Sequence, residues 1–127
     1  MPTSTWDWGK LKNNVTTQAS IESARHLSAV STVLLKNTGG VLPLPKDKHV
    51  ALVGFIDEGA VVHGGGSGSV VPSHIVTPLE GITSAMGPGA KISSNNGTDI
   101  AAAAALAASA DYAVVFVGTL SHEGGDR

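Results

Sequence analysis

The sequence predicts an α/β fold, with a mainly parallel sheet wound by helices. Helical and extended segments alternate along the chain, which is typical of parallel sheets built from β-α-β units. Residues 49–55 contain a continuous apolar run after His49, as in a strand that is covered on both faces, and residues 110–118 are expected to form a further buried strand. Only three strands are predicted, and so small a parallel sheet leaves apolar edges exposed. The chain is therefore expected to be the first half of a larger domain.

The first predicted helix spans residues 17–35 and begins at Thr17 or Ser20. Its apolar side chains recur at spacings of three and four and form one stripe, made of Ala24, Leu27, Val30 and Leu34. Residues 37–40, Asn-Thr-Gly-Gly, tolerate positive φ and are expected to end this helix. Two prolines then hold residues 41–45 in an extended conformation.

A long glycine-rich loop, residues 56–76, follows the first strand. Such a loop in a compact domain is typical of a functional or mobile segment. Thr77 is expected to cap a short helix that has Pro78 in its first turn and carries Leu79, Ile82 and Met86 on one side. Residues 91–94 are predicted to form a weak strand.

The last helix is predicted over residues 100–109, with Thr98 or Asp99 as its cap. Its alanines have the highest intrinsic helix propensity, and their small side chains allow close packing on a sheet. The final strand, residues 110–118, runs directly into a Gly-flanked loop that contains Glu123. Open α/β sheets place their chemistry at such carboxyl ends of strands, so Glu123 is the leading candidate for a functional residue.

Composition excludes several classes of function. The net charge is −2, from ten acidic and eight basic residues that are scattered along the chain, so a nucleic-acid partner is not expected. No apolar run is long enough for a membrane span, and residues 1–6 have neither the basic nor the apolar region of a signal peptide, so any export signal is expected to lie outside this sequence. The chain has no cysteine, and its five histidines show no metal-ligand spacing. We therefore expect neither a metal site nor a cofactor.

Six segments occur in order and with compatible spacing: residues 34–37 with 42–44, then 50–54, 64–68, 77–82, 110–118 and 123–127. Together they resemble part of the C-terminal α/β sandwich domain of the β-glucosidase-like members of glycoside hydrolase family 3, which implies a partial α/β sandwich here. The resemblance implies that residues 20–127 are the N-terminal part of that domain and that residues 1–19 are an interdomain linker. In the family this domain follows a TIM-barrel-like domain, and the active site lies where the two meet.

The resemblance also implies a catalytic role for Glu123. Members of the family are retaining glycosidases, which use one carboxyl group as the nucleophile and a second as the general acid/base. By resemblance, Glu123 is the acid/base, and the nucleophile is an aspartate of the barrel domain, which this sequence lacks. Without the resemblance, Glu123 would be an ordinary solvated loop acid. Asp126 and Arg127 resemble the pair that follows the catalytic glutamate, and we expect them to hold the loop in shape.

The glycine-rich loop has two interpretations. By resemblance, Gly66, Ser67 and Gly68 border the sugar pocket, where glycine lets the backbone approach a ligand and serine offers a hydroxyl. Alternatively, the segment is a flexible surface turn. A nucleotide-binding loop is not supported, because neither G-x-G-x-x-G nor G-K-[ST] fits these residues.

The expected function is retaining hydrolysis of terminal β-D-glucosyl residues from β-glucosides, as in the breakdown of cellooligosaccharides. A β-xylosidase-like enzyme and a non-catalytic carbohydrate-binding module are the alternatives. Secretion is a further expectation. Two glycosylation triplets, which begin at Asn14 and Asn96, would be available in a secretory pathway.

Overall fold

The computed structural model describes residues 9, 13–57, 60, 65–69, 72, 74–119 and 124. The chain forms two compact units, Met1–Leu42 and Pro43–Arg127. Among the described residues, no helix is both long and apolar enough to cross a membrane.

The first unit contains helix α1, Gln18–Ser31. Thr17 caps it as expected, because the Thr17 hydroxyl accepts a hydrogen bond from the Ser20 amide at 3.1 Å, and the Ser20 hydroxyl accepts one from the Thr17 amide at 2.9 Å. The predicted end of the helix was wrong by about one turn. At its actual end the hydroxyls of Ser31 and Thr32 both donate to the carbonyl of Ser28, and Thr32 is already extended. Such bonds compete with the next helical turn.

The second unit is built on a three-stranded parallel sheet. Its strands are β1, His49–Gly54, β2, Lys91–Asn95, and β3, Tyr112–Phe116, in the order β2-β1-β3. Helix α2, Pro78–Met86, connects β1 to β2, and helix α3, Ile100–Ser109, connects β2 to β3. The predicted fold class is confirmed: this is a partial α/β sandwich with a parallel sheet.

The central strand β1 is covered on both faces, as its continuous apolar sequence predicts. Val50 and Leu52 are fully buried and form the core with Ile56 and Met86. This face is completed by partly buried side chains from α2, the outer strands and neighbouring segments: Leu44, Leu79, Ile82, Ala90, Ile92, Tyr112, Val114 and Phe116. Because side chains alternate along a strand, Ala51 faces the opposite side of the sheet, where α3 lies.

The sheet is incompletely covered at β3. On the face opposite α2, Val115 is 59% exposed, and Val117, just beyond the strand, is 87% exposed. Within the described residues, β3 pairs only with β1 and its other edge has no partner strand. A parallel sheet normally has both faces covered, so these features fit part of a larger sandwich.

Helix α2 begins at a capping box. The Thr77 hydroxyl accepts from the Glu80 amide at 3.2 Å, and the Thr77 amide donates to Glu80 Oε2 at 2.9 Å. The Thr77 amide and hydroxyl therefore lower the pKa of Glu80 below its ordinary value of 4.5. The hydrogen bonds from Thr77 to the Glu80 carboxylate therefore stabilise the folded chain at pH values above the ordinary pKa of Glu80. This stabilisation is lost as the pH falls through the lowered pKa.

We expect Thr77→Ala to lower the free energy of unfolding by about 1 kcal/mol, because the first turn of α2 loses its side-chain acceptor. Thr77→Ser, which retains the hydroxyl, is the control and should be nearly neutral. Urea unfolding at neutral pH measures both. Equal stability of Thr77→Ala and the unsubstituted chain would show that the cap does not stabilise this helix.

Candidate active site

The topology of the sheet defines where a site is expected. Strand β1 is central in the sheet. Helix α2 leads from β1 to β2 on one side of β1, and helix α3 then leads from β2 to β3 on the other side of β1. The strand order therefore reverses between β1 and β3. In open parallel sheets, ligands bind in the crevice outside the carboxyl ends of the strands at such a switch point.

A cleft of about 520 Å³ lies at these carboxyl ends. Four segments line it: the end of β1, the turn after β2, the start of α3 and the end of β3. The lining residues are Val53, Gly54, Phe55, Asn96, Gly97, Thr98, Ile100, Ala103, Val115, Phe116, Val117 and Gly118. The lining is mostly apolar, and the side chains of Asn96 and Thr98 are its polar groups.

At the end of β1, Gly54 lines this cleft and adopts a backbone conformation that requires glycine. Its φ is +101°, and a Cβ atom there would overlap the carbonyl oxygen of Phe116. That same carbonyl accepts a hydrogen bond from the Phe55 amide at 3.1 Å. The close approach therefore joins the ends of β1 and β3 at the switch point.

The turn after β2 lies beside Gly54, and the Asn95 side chain stabilises this turn. Asn95 Oδ1 accepts from the Gly97 amide at 2.8 Å, and Gly97 has a φ of +79°. A Cβ atom on Gly97 would lie 3.5 Å from the Cα of Gly54, so the two glycines are close neighbours. Sequence reasoning did not place this turn in a site. The Asn-Gly pair signals a turn, but its contact with β1 depends on strand pairing.

The predicted sugar-pocket residues form a short turn in the structure. Gly66–Gly68 is a single 3-10 turn, in which Gly66 has a φ of +65° and its carbonyl accepts from the Ser69 amide at 3.0 Å. Ser67 is exposed. The described residues that line the cleft do not include this turn, so its role in binding stays a prediction.

The predicted catalytic residue Glu123 and its neighbours Asp126 and Arg127 lie outside the described residues. Among the described residues that line the cleft, none carries an ionisable side chain. The Asp99 carboxylate, close by in sequence, is used to cap α3 and accepts from the Ala102 amide at 3.0 Å. Acid-base chemistry at this cleft would therefore need an ionisable group from outside these lining residues, and Glu123 and Asp126 are the carboxylates that follow β3 in the sequence.

The described residues do not bring together three histidine, aspartate or glutamate side chains in a way that could hold a metal ion. The cleft thus offers apolar surface, two polar side chains and backbone groups. These are elements of a small-molecule site, although no reactive side chain is found among the described residues that line it.

Residues 32–127 match the family model described as the glycosyl hydrolase family 3 C-terminal domain. The match covers most of the chain, including all three strands and the cleft at their carboxyl ends. The chain therefore belongs to glycoside hydrolase family 3, as part of its C-terminal domain.

Similar curated proteins carry names that agree with this family. The chain is 35% identical to the probable beta-glucosidase L of Emericella nidulans over 138 aligned residues, which cover 95% of this chain and 19% of that protein. It is 51% identical to beta-glucosidase B of the same organism over 67 residues, 50% of this chain and 8% of that protein. The probable beta-glucosidase I of Aspergillus niger is 44% identical over 59 residues, 46% of this chain and 7% of that protein.

Almost the whole chain aligns with beta-glucosidase L, but it covers only 19% of that protein, so the chain spans about a fifth of this relative's length. No solved structure gives a significant match.

Proposed function

We propose that this chain supplies the acid/base loop of a retaining β-glucosidase, which removes terminal β-D-glucosyl residues from β-glucosides. The observation that carries the proposal is the membership of residues 32–127 in the glycoside hydrolase family 3 C-terminal domain. The names of the relatives, beta-glucosidases L, B and I, supply the substrate class.

The geometry of the sheet supports a role for Glu123. The chain leaves β3 at the cleft, with Val117 and Gly118 in its lining, and Glu123 follows five residues after Gly118 in the sequence. A reach of a few residues, at about 3.3 Å each, is enough to bring a side chain back over the cleft. In this proposal Glu123 protonates the leaving oxygen in the first step and activates water in the second.

A second carboxyl group is required, and we propose that a separate barrel domain provides it. A retaining mechanism needs the two carboxyl groups roughly 5 to 5.5 Å apart, one of them as nucleophile. The relatives are several times longer than this chain, which leaves room for such a domain in a longer polypeptide. The substrate would then bind between the barrel and the cleft.

The direct test is the activity of the longer polypeptide that contains these residues. We expect hydrolysis of an aryl β-D-glucoside in preference to the corresponding β-D-xyloside, with the β-anomer of glucose as the first product seen by NMR. Preference for the xyloside would favour the β-xylosidase-like alternative. Sugar binding without turnover would favour the carbohydrate-binding module, and release of the α-anomer would exclude a retaining mechanism.

The 127-residue chain by itself should hydrolyse no aryl β-glucoside, because it holds at most one of the two required carboxyl roles. The measurement is release of the aryl group by purified chain, with a Glu123→Gln preparation as the control for contaminating enzyme. Turnover that disappears in the Glu123→Gln preparation would contradict the proposed division of roles.

A further inference from the structure

Two Asn-x-Thr triplets in the chain adopt the same local conformation. Asn14 Oδ1 accepts a hydrogen bond from the Thr16 amide at 2.9 Å, and Asn96 Oδ1 accepts one from the Thr98 amide at 3.0 Å. A backbone N–H can only donate, so the atom that faces it in each case is the side-chain oxygen. The amide nitrogen Nδ2 is therefore directed away from the backbone at both positions.

Both triplets are open to solvent in their own units. Asn14, Thr16, Asn96 and Thr98 are all exposed, and no described residue accepts a hydrogen bond from Nδ2 of either asparagine. Asn37 is also exposed but differs in its sequence context and in its hydrogen bonding. It is not followed by a threonine two residues later, and its Nδ2 donates to the Leu42 carbonyl at 3.0 Å.

We propose that Asn14 and Asn96 are acceptors for N-linked glycans. The middle residues, Val15 and Gly97, are compatible with the acceptor triplet, which excludes only proline at that position. In the reaction, Nδ2 forms a bond to C1 of the first sugar of a polyprenyl-diphosphate-linked oligosaccharide. The bond from C1 to the diphosphate oxygen breaks, Nδ2 loses one proton, and polyprenyl diphosphate leaves. The proposal includes passage of the protein through a secretory pathway, where this donor is used.

The surroundings of the two asparagines fit a bulky hydrophilic group. Val15 is 83% exposed beside Asn14, and Ile100 is 81% exposed close to Asn96. A glycan at each site would screen these apolar side chains from other molecules. Asn96 itself belongs to the cleft lining, so its glycan would occupy the β2 end of the cleft and leave to the substrate the end where the chain leaves β3, on the other side of β1.

The test is expression of the chain behind a cleavable secretion signal in a eukaryotic host, followed by peptide-N-glycosidase treatment and mass spectrometry. That enzyme converts each glycosylated asparagine to aspartate, and conversion in ¹⁸O-labelled water beyond that of an untreated sample locates each glycan, because the Asn96-Gly97 pair also deamidates spontaneously. We expect conversion at Asn14 and Asn96, and loss of one glycan in each of Asn14→Gln and Asn96→Gln. Thr16→Ala and Thr98→Ala should cause the same losses with both asparagines in place, whereas Thr16→Ser and Thr98→Ser should retain them.

Asn13→Gln is the matched control, because Asn13 is exposed beside Asn14 but lies outside any triplet; it should retain both glycans. Glycans are added in the lumen of the secretory pathway before the protein is secreted. If a variant is retained in the cell, its glycosylation can therefore be measured equally well on the chain recovered from a cell extract. Unconverted Asn14 and Asn96 in the unsubstituted chain, from both medium and extract, would overturn the proposal. Conversion at one site alone would overturn it for the other.

Discussion

Replacing Gly54 with alanine is expected to destabilise the sheet unit by about 3 kcal/mol or more, from backbone strain together with steric overlap. The strain arises because φ at Gly54 is +101°, which side chains rarely allow. The overlap arises because the added Cβ would meet the carbonyl oxygen of Phe116 and lie 3.1 Å from its carbon. Phe116 cannot turn this carbonyl away freely, since it accepts from the Phe55 amide.

Two other glycines separate these causes. Gly89 has a φ of +86°, and an added Cβ there would meet nothing within 4 Å, so Gly89→Ala should cost only about 1 kcal/mol, for the conformation alone. Gly81 lies inside α2, where an added Cβ would make an ordinary contact of 3.7 Å with Val76, and Gly81→Ala should stabilise the chain by about 0.5 to 1 kcal/mol. Urea unfolding of the three variants is the measurement. A loss at Gly54 no greater than that at Gly89 would show that the Phe116 contact relaxes.

The effect of Gly54→Ala should extend to function. Gly54 lies in the cleft lining and joins the carboxyl ends of β1 and β3. A shift of these strand ends would move the loop that contains Glu123 in the sequence. We therefore expect lower activity in the longer polypeptide even under conditions where the variant remains folded.

Local chemistry made much of the fold predictable. The start of α2 follows from Thr77 and Pro78, and the bounds of α3 follow from Asp99 and a run of alanines, because caps and propensity act within one turn. The continuous apolar sequence of β1 correctly predicted a strand with both faces covered. The end of α1 was missed because hydroxyl bonds to the Ser28 carbonyl cannot be read from residue types alone.

The candidate site was less predictable, since it depends on which strands pair. The order β2-β1-β3 brings Gly97 beside Gly54, although the two are far apart in the sequence and neither has a side chain to signal a contact. The resemblance implied a catalytic role for the segment after β3, and of this only the family membership is confirmed. The roles of Glu123, Gly66, Ser67 and Gly68 and the domain boundary at residue 20 stay predictions.

In the longer polypeptide, Glu123→Ala is expected to slow hydrolysis of substrates with poor leaving groups by roughly 10² to 10⁴, the usual contribution of a positioned proton donor. Activated aryl glucosides need little protonation to depart, so their first step should be much less affected. The glycosyl-enzyme would then accumulate, because water attacks it slowly without a general base, and the aryl group should appear as an initial burst.

Azide provides the sharpest test of this role, because it is a nucleophile that needs no general base. Added azide should speed turnover of activated glucosides by Glu123→Ala and yield a β-glucosyl azide, the product of a second inversion at the anomeric carbon. Glu22→Ala, which removes an exposed carboxylate on α1, is the matched control and should leave both the rates and the azide response unchanged. Equal losses on good and poor leaving groups without azide rescue would show that Glu123 is structural, and that the proton donor must be sought elsewhere, beginning with Asp126.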